Sequence, residues 1–207
     1  KMREQGQTTV VRTADVAGAL PTHFVERLRR EGLRHYFWYH DANCTDRAAC
    51  AVKSWQDAFL TPEHSAVEAL CRDRGWDHEW HDGGISVSFR RDAFVAHPHT
   101  GDEVLFCTDL SGEWYDGWPP FSALPDAQRP YSFTWGGESR DVFSRRDRSL
   151  WSDAVDGARH LHAWAKGDVL ICDNMLVMHG REPFEGPRTI GVVLAHPVAR
   201  DDVALLG

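Results

Sequence analysis

The stretch Gly167-Asp168-Val169-Leu170-Ile171-Cys172-Asp173-Asn174-Met175-Leu176-Val177-Met178-His179-Gly180-Arg181 carries the most architectural information in this chain. Two apolar, strand-like runs flank Asp173-Asn174, a turn pair. The second run delivers His179 at its end. Nine residues later, after Pro183 and Pro187, Arg188 opens another apolar run. Strands are therefore predicted over 168–172, 175–178 and 189–196. Antiparallel strands of this length can bring an imidazole and a guanidinium to one barrel mouth. Imidazole suits a borderline metal such as iron. The paired donors of a guanidinium suit a carboxylate. Each residue also has a plainer reading, a polar strand-end histidine and a surface or ion-paired arginine.

Working outward, Ala17, Leu20, Phe24 and Leu28 recur at helical spacing, with Pro21 placed for a first turn, and predict a helix ending near Gly32. Tyr36, Phe37, Trp38 and Tyr39 suit a buried strand. Residues 47–59 read as a helix with Ala51, Trp55 and Phe59 on one stripe. Thr61 and Pro62 predict the start of another, with Val67, Leu70 and Cys71 inward and Gly75 as its stop. Beyond Gly75 the apolar period changes from about 3.6 to 2, and Ile85, Val87 and Phe89 alternate with serines as in a half-exposed antiparallel strand. His97-Pro98-His99-Thr100-Gly101-Asp102 reads as a turn and Glu103–Cys107 as a short strand. Residues 109–147 are rich in Gly, Pro, Asp and aromatics and read as a long functional loop. A helix interrupted by Gly157 is predicted over 149–160. The sum is mainly β, with short antiparallel strands and helices before and between them.

The 207 residues fit one domain, or one with a satellite. Acidic residues outnumber basic ones, 31 to 23, and no Lys/Arg-dense run exists, so nucleic acid is not an expected partner. No stretch is long and apolar enough for a membrane helix, and a membrane partner is not expected. An apolar share of 42% suits a folded globule. The five cysteines are odd in number and form no CxxC pair, so reduced thiols are expected rather than a disulfide framework or thiolate zinc site. Residues 1–15 carry no apolar leader-type run, and a cytoplasmic location is expected. Nine tryptophans exceed ordinary usage, enough for a core and a pocket wall.

Further motifs occur in order along the chain: Gly6-Gln7-Thr8 before Ala14-Asp15; Trp55-Gln56-Asp57-Ala58-Phe59-Leu60-Thr61; Val67-Glu68; Cys71; Gly75; Glu79-Trp80-His81-Asp82-Gly83; and His97 to Phe106, a His-Pro-x-Thr-Gly turn. With the Asp168–Arg188 block, they make the chain resemble the TauD/TfdA-type iron(II)/2-oxoglutarate dioxygenases over nearly its whole length, especially the branch found beside peptide and amino-acid biosynthesis genes. The resemblance implies a double-stranded β-helix, or jelly-roll, with flanking helices. It implies one dioxygenase-like domain over 1–207, with 109–147 as an active-site or lid loop. It makes His179 the distal iron ligand, places Arg188 on the distal carboxylate of 2-oxoglutarate, and has the Thr8 hydroxyl donate to that same carboxylate. Gly112, Trp114, Tyr115, Trp118 and Trp135 become substrate-side or lid residues. The implied requirements are Fe(II), 2-oxoglutarate and O2. The implied reaction is oxidation of a C–H bond, hydroxylation by default, on a small amino-acid-derived or peptide-like substrate, free or carrier-bound. Desaturation or cyclisation on the same fold, and an inactive jelly-roll binding a small molecule or a partner, stand as alternatives. Self-association into a homo-oligomer is compatible with all of these.

The chain also departs from the family pattern. Gln5 and Gln7 replace the first Gly and the acidic residue of the Gly-Gly-Asp/Glu-Thr motif. Cys107 stands where the branch has Asn, and Phe133–Glu138 where it has a Tyr-Gly-Asp-Gly-like stretch. The family's iron site needs a proximal His-x-Asp/Glu pair ahead of Thr8, yet none of the twelve histidines is followed two positions later by Asp or Glu. His78-Glu79 and His81-Asp82 have the wrong spacing and read as a solvated turn. His97 and His99 share a strand parity, as do His160 and His162, without making a metal set. The expectation is that an N-terminal segment of roughly 100 residues, carrying that pair and the early strands that close a barrel, lies outside these residues.

Overall fold

The computed structural model describes residues 6–45, 53–107, 109–112, 129–187 and 189–198. Its elements, in chain order, are β1 (Thr8–Arg12), α1 (Thr13–Ala19), α2 (Thr22–Glu31), β2 (Leu33–His40), α3 (Trp55–Phe59), α4 (His64–Asp73), β3 (Asp77–His81), β4 (Gly84–Arg91), β5 (Phe94–Ala96), β6 (Glu103–Leu105), β7 (Tyr131–Trp135), α5 (Arg145–Ala158), β8 (Arg159–His162) and β9 (Val177–Arg181). They divide into two compact units. The first holds Lys1–Arg29, Asp92–Leu110 and Arg145–Gly207; the second holds Arg30–Arg91 and Ser111–Ser144.

In the first unit the predicted helix ending near Gly32 is two helices. Pro21 has no N–H to continue α1, and its carbonyl instead accepts the Phe24 and Val25 amides at 2.9 and 3.2 Å, starting α2. Gly32 ends α2 with φ of +61°, and a Cβ there would meet the Arg91 carbonyl. β1 is the middle of a three-stranded antiparallel sheet, ordered β8-β1-β9. α1 and α5 pack on each other and on β1, and bury Val11, Val16, Trp151 and Ala154. β5 and β6 form a separate hairpin. Arg29 stacks on Phe94 and donates to Glu103, tying α2 to that hairpin.

The second unit is built on a four-stranded antiparallel sheet, ordered β3-β4-β2-β7. Ile85, Val87 and Phe89 point to one face, where Trp55 of α3 and Val67 and Cys71 of α4 pack on them. Ser54 caps α3, its Oγ accepting the Asp57 amide at 3.2 Å. α4 begins at His64, slightly later than Thr61-Pro62 predicted; the Thr61 hydroxyl accepts the Glu63 amide in the turn before it. Gly75, with φ of +63°, follows the end of α4. His78 to His81 lie on β3, an edge strand with alternating exposure, rather than on a turn.

Several expectations change. The architecture is mixed α/β, with three antiparallel sheets and flanking helices, rather than mainly β. It is consistent with a double-stranded-β-helix-like core, but no sheet closes into a barrel among the described residues. The 109–147 loop contains β7, and α5 begins at its end. Trp135 is a β7 core residue, 1% exposed and stacked on Phe143 at 4.3 Å, rather than a lid residue. Of the three predicted C-terminal strands, only the middle one forms, shifted to Val177–Arg181. Residues 168–172 and 189–196 are irregular, with Val169, Ile171 and Val193 exposed at 82, 89 and 89%. Their apolar, β-branched sequences have strand propensity, but a strand exists only beside a neighbour that takes up its hydrogen bonds.

Candidate functional site

The register of the first unit's sheet assembles the site. Thr8 is opposite Arg181 and Val10 opposite His179 on one side of β1; Thr8 is opposite His162 and Val10 opposite His160 on the other. Opposed residues share a face, and so do residues two apart on one strand. Thr8, Val10, His160, His162, His179 and Arg181 therefore share one face. Val11 is on the other, buried face.

β9 is anchored at both ends. The Thr13 amide and hydroxyl donate to the Leu176 carbonyl at 2.9 and 3.1 Å. Beyond His179, the Glu182 amide donates to the Gln7 carbonyl at 3.0 Å, and the Gly6 amide to that of Pro183 at 3.2 Å. The Thr9 hydroxyl donates to Glu182 at 2.6 Å. These bonds hold both ends of the β1–β9 pair, and so Thr8 and His179, in register.

The polar groups on that face are partly uncommitted. The Trp164 indole N–H donates to the Thr8 hydroxyl oxygen at 2.8 Å, which leaves the hydroxyl hydrogen able to donate elsewhere. His179 is exposed and has no hydrogen-bond or ion-pair partner among the described residues, so its ring nitrogens are open to a ligand. Arg181 is exposed, stacks on Phe184 at 4.7 Å, and has no carboxylate partner among the described residues. His162 meets the Trp164 ring edge-on at 4.8 Å, and its Nε2 lies 3.4 Å from Asp168.

Sequence reading singled out Thr8 and His179, and the structure brings them onto one face. Arg188, Trp114, Tyr115 and Trp118 lie outside the described residues. The sequence gives no signal for Trp164, Arg181 or Asp173 as site residues, and it places His97 in a turn, sharing a parity with His99, without a partner. His97 is in fact buried, its Nε2 bonded to Asp173 Oδ2 at 3.0 Å. The available signal was the polar His97 beside the apolar run Phe94-Val95-Ala96, a position that demands a partner when buried. Among the described residues no three His, Cys, Asp or Glu side chains are grouped to hold a metal. His179 alone supplies one imidazole.

Residues 1–194 match the family described as "Taurine catabolism dioxygenase TauD, TfdA family". The chain belongs to the TauD/TfdA family. This TauD/TfdA-family chain is 30% identical over 201 residues to the dapdiamide synthesis protein DdaC of Enterobacter agglomerans, covering 93% of this chain and 57% of that protein. It is 25% identical over 169 residues to the clavaminate synthase-like protein At3g21360 of Arabidopsis thaliana, covering 81% of this chain and 48% of that one. The chain thus spans about half the length of these curated relatives. Use of Fe(II), 2-oxoglutarate and O2 is typical of TauD/TfdA proteins, and the donor types here, an open imidazole and a hydroxyl able to donate to a carboxylate, are of kinds that suit such groups. No helix among the described residues is long and apolar enough to cross a membrane.

The second unit carries its own concavity on the polar face of its sheet. An open basin of about 520 Å³ is lined by Tyr36, Trp38, Glu79, Ser86, Ser88 and Arg129, among others. Its lining includes His81, whose Nε2 is hydrogen-bonded to the Ser86 hydroxyl at 2.6 Å. Asp77 beside it is held by Arg34 at 2.7 Å and Arg140 at 3.7 Å.

Proposed function

We propose that this chain serves iron(II)/2-oxoglutarate-dependent oxidation of a small amino-acid-derived or peptide-like substrate, free or carrier-bound, with hydroxylation as the outcome. The observation that supports this best is the shared open face of Thr8 and His179. In this reading His179 gives iron one imidazole ligand. The Thr8 hydroxyl, its oxygen held by Trp164, donates to the distal carboxylate of 2-oxoglutarate, and Arg188 pairs with that carboxylate by charge and two N–H groups. When bound, iron with 2-oxoglutarate and oxygen supplies the oxidation of the C–H bond. The reading requires a second imidazole and a carboxylate from a His-x-Asp/Glu pair, which these 207 residues do not contain.

Incubating the full natural polypeptide with Fe(II), 2-oxoglutarate and candidate amino-acid or peptide substrates tests the reading. Succinate should form in step with a product gaining about 16 Da; a loss of about 2 Da would instead mark desaturation or ring closure. Arg188→Ala should raise the half-saturating 2-oxoglutarate concentration by about tenfold or more. Succinate formation unchanged by both His179→Ala and Arg188→Ala would overturn the site. A second reading, a non-catalytic binding protein, is favoured by the lack of a three-ligand group among the described residues. It predicts no succinate from the full polypeptide.

A further inference from the structure

We propose that His97 is a positioning residue: through its bond to Asp173 it sets the turn from which the strand carrying His179 departs. The His97 ring is 4% exposed, although it lies in a polar turn. Its Nδ1 accepts the backbone amides of His99 and Thr100 at 3.4 and 3.3 Å. An accepting ring nitrogen carries no proton, so this network assigns the proton to Nε2, which donates to Asp173 Oδ2 at 3.0 Å. The backbone closes the same loop: the His97 amide donates to Asp102, and the Gly101 amide donates to His97, both at 2.8 Å. The ring is therefore held by its own turn before it reaches across to residue 173.

Asp173 then divides its acceptors between two tasks. Oδ1 accepts the Met175 amide at 2.9 Å, while Oδ2 takes the proton offered by His97. Its carbonyl accepts the Leu176 and Val177 amides at 3.1 and 3.0 Å. The Met175 bond foremost, with help from His97, holds this carboxyl below the ordinary carboxylate range. One ionised side chain thus shapes the turn, and one buried imidazole fixes where that side chain sits. β9 starts at Val177, and His179 follows two residues later on the same face. A tilt or slip of the turn would pass into β9 and misplace that imidazole relative to Thr8.

The effect on metal binding rests on the reading of His179 as an iron ligand; the effect on the strand does not. Three variants of the full protein separate the two. In His97→Asn the amide oxygen can still accept from the turn, but the side chain is too short to reach Asp173. In His97→Gln an N–H can reach Asp173. Asp173→Asn keeps the Met175 bond at Oδ1 but sets a donor against Nε2–H, and reads the same contact should His97→Asn fail to fold. Amide hydrogen exchange is measured over 177–181 and over 94–96, together with affinity for Co(II) as the metal probe. His97→Asn should speed exchange over 177–181 and weaken Co(II) binding, each by about tenfold, while His97→Gln stays within about threefold of the parent. Unchanged exchange over 177–181, or an equal rise over 94–96, would overturn the proposal. If the parent binds no Co(II), the ligand reading of His179 fails, and the exchange pattern still decides the role of His97.

Discussion

In the second unit the sheet buries Ile85, Val87 and Phe89 beneath α3 and α4, and an aromatic series extends that core: His35, Phe37 and Trp76 each lie within 5.7 Å of Phe89 between ring centres. In the first unit the sheet β8-β1-β9 buries Val11 on one face and leaves Thr8, His179 and Arg181 on the other. One sheet turns strand-forming residues into packing; the other leaves polar side chains on a surface held by backbone bonds. Substitutions on the packed face should therefore be read in stability. Those on the open face should be read in chemistry, because little packing is lost with them.

The sharpest contrast is at His179. On the proposed reading, in which His179 gives iron one ligand, His179→Ala should abolish iron-dependent succinate formation, a fall of more than about a hundredfold, since losing a ligand exceeds losing its outer-shell partners. Its melting should shift by no more than about 0.5 kcal/mol equivalent, as expected for an exposed side chain. A large loss of stability would show that this face is packed, not open. Trp55→Ala is the opposite case. Trp55 is buried and its indole N–H donates to Asp41 at 3.1 Å, so removing it should cost roughly 3–5 kcal/mol in denaturant unfolding. A neutral result would dissolve the distinction between the two sheets.

The packed sheet also contains a titration. His35 is part-buried between Phe89 and Tyr131, and burial, then the nearby Arg91 charge, lowers its pKa to about 4. The unfolded chain takes up this proton near pH 6.5, before the folded state does. Stability from this residue is whole above about pH 6.5 and falls by up to roughly 3 kcal/mol as pH drops toward 4. Urea unfolding of the parent and of His35→Gln across this range should show a shallower slope for the variant; equal slopes would remove His35 as the cause. The smallest effect is expected at the exposed apolar residues of the first unit. Ile171→Ser should change stability by no more than about 0.5 kcal/mol. A loss of about 2 kcal/mol or more would mean that a partner covers this segment in solution.

Much of this organisation was legible in order along the chain. Gly32 and Gly75 mark helix ends through their own backbone limits, and the alternation of Ile85, Val87 and Phe89 marks a strand with a buried face, whereas the break between α1 and α2 at Pro21 emerges only in the structure. The glycine and alternation signals are local, because positive φ and side-chain period act within a few residues. The ordered motifs likewise pointed to the family before any contact was known. Three further features were not legible in this way. Thr8, His162 and His179 share a face because β1 pairs with both β8 and β9, and a register between distant strands is set by pairing, not by spacing. Residues 168–172 and 189–196 look like strands in sequence but are not strands here, because propensity without a hydrogen-bonded neighbour makes no ladder. His97 reads as one more turn residue until folding buries its ring and brings Asp173, far along the chain, to its Nε2. Burial and partner arise together from the packing of the chain, and no periodicity records that coincidence.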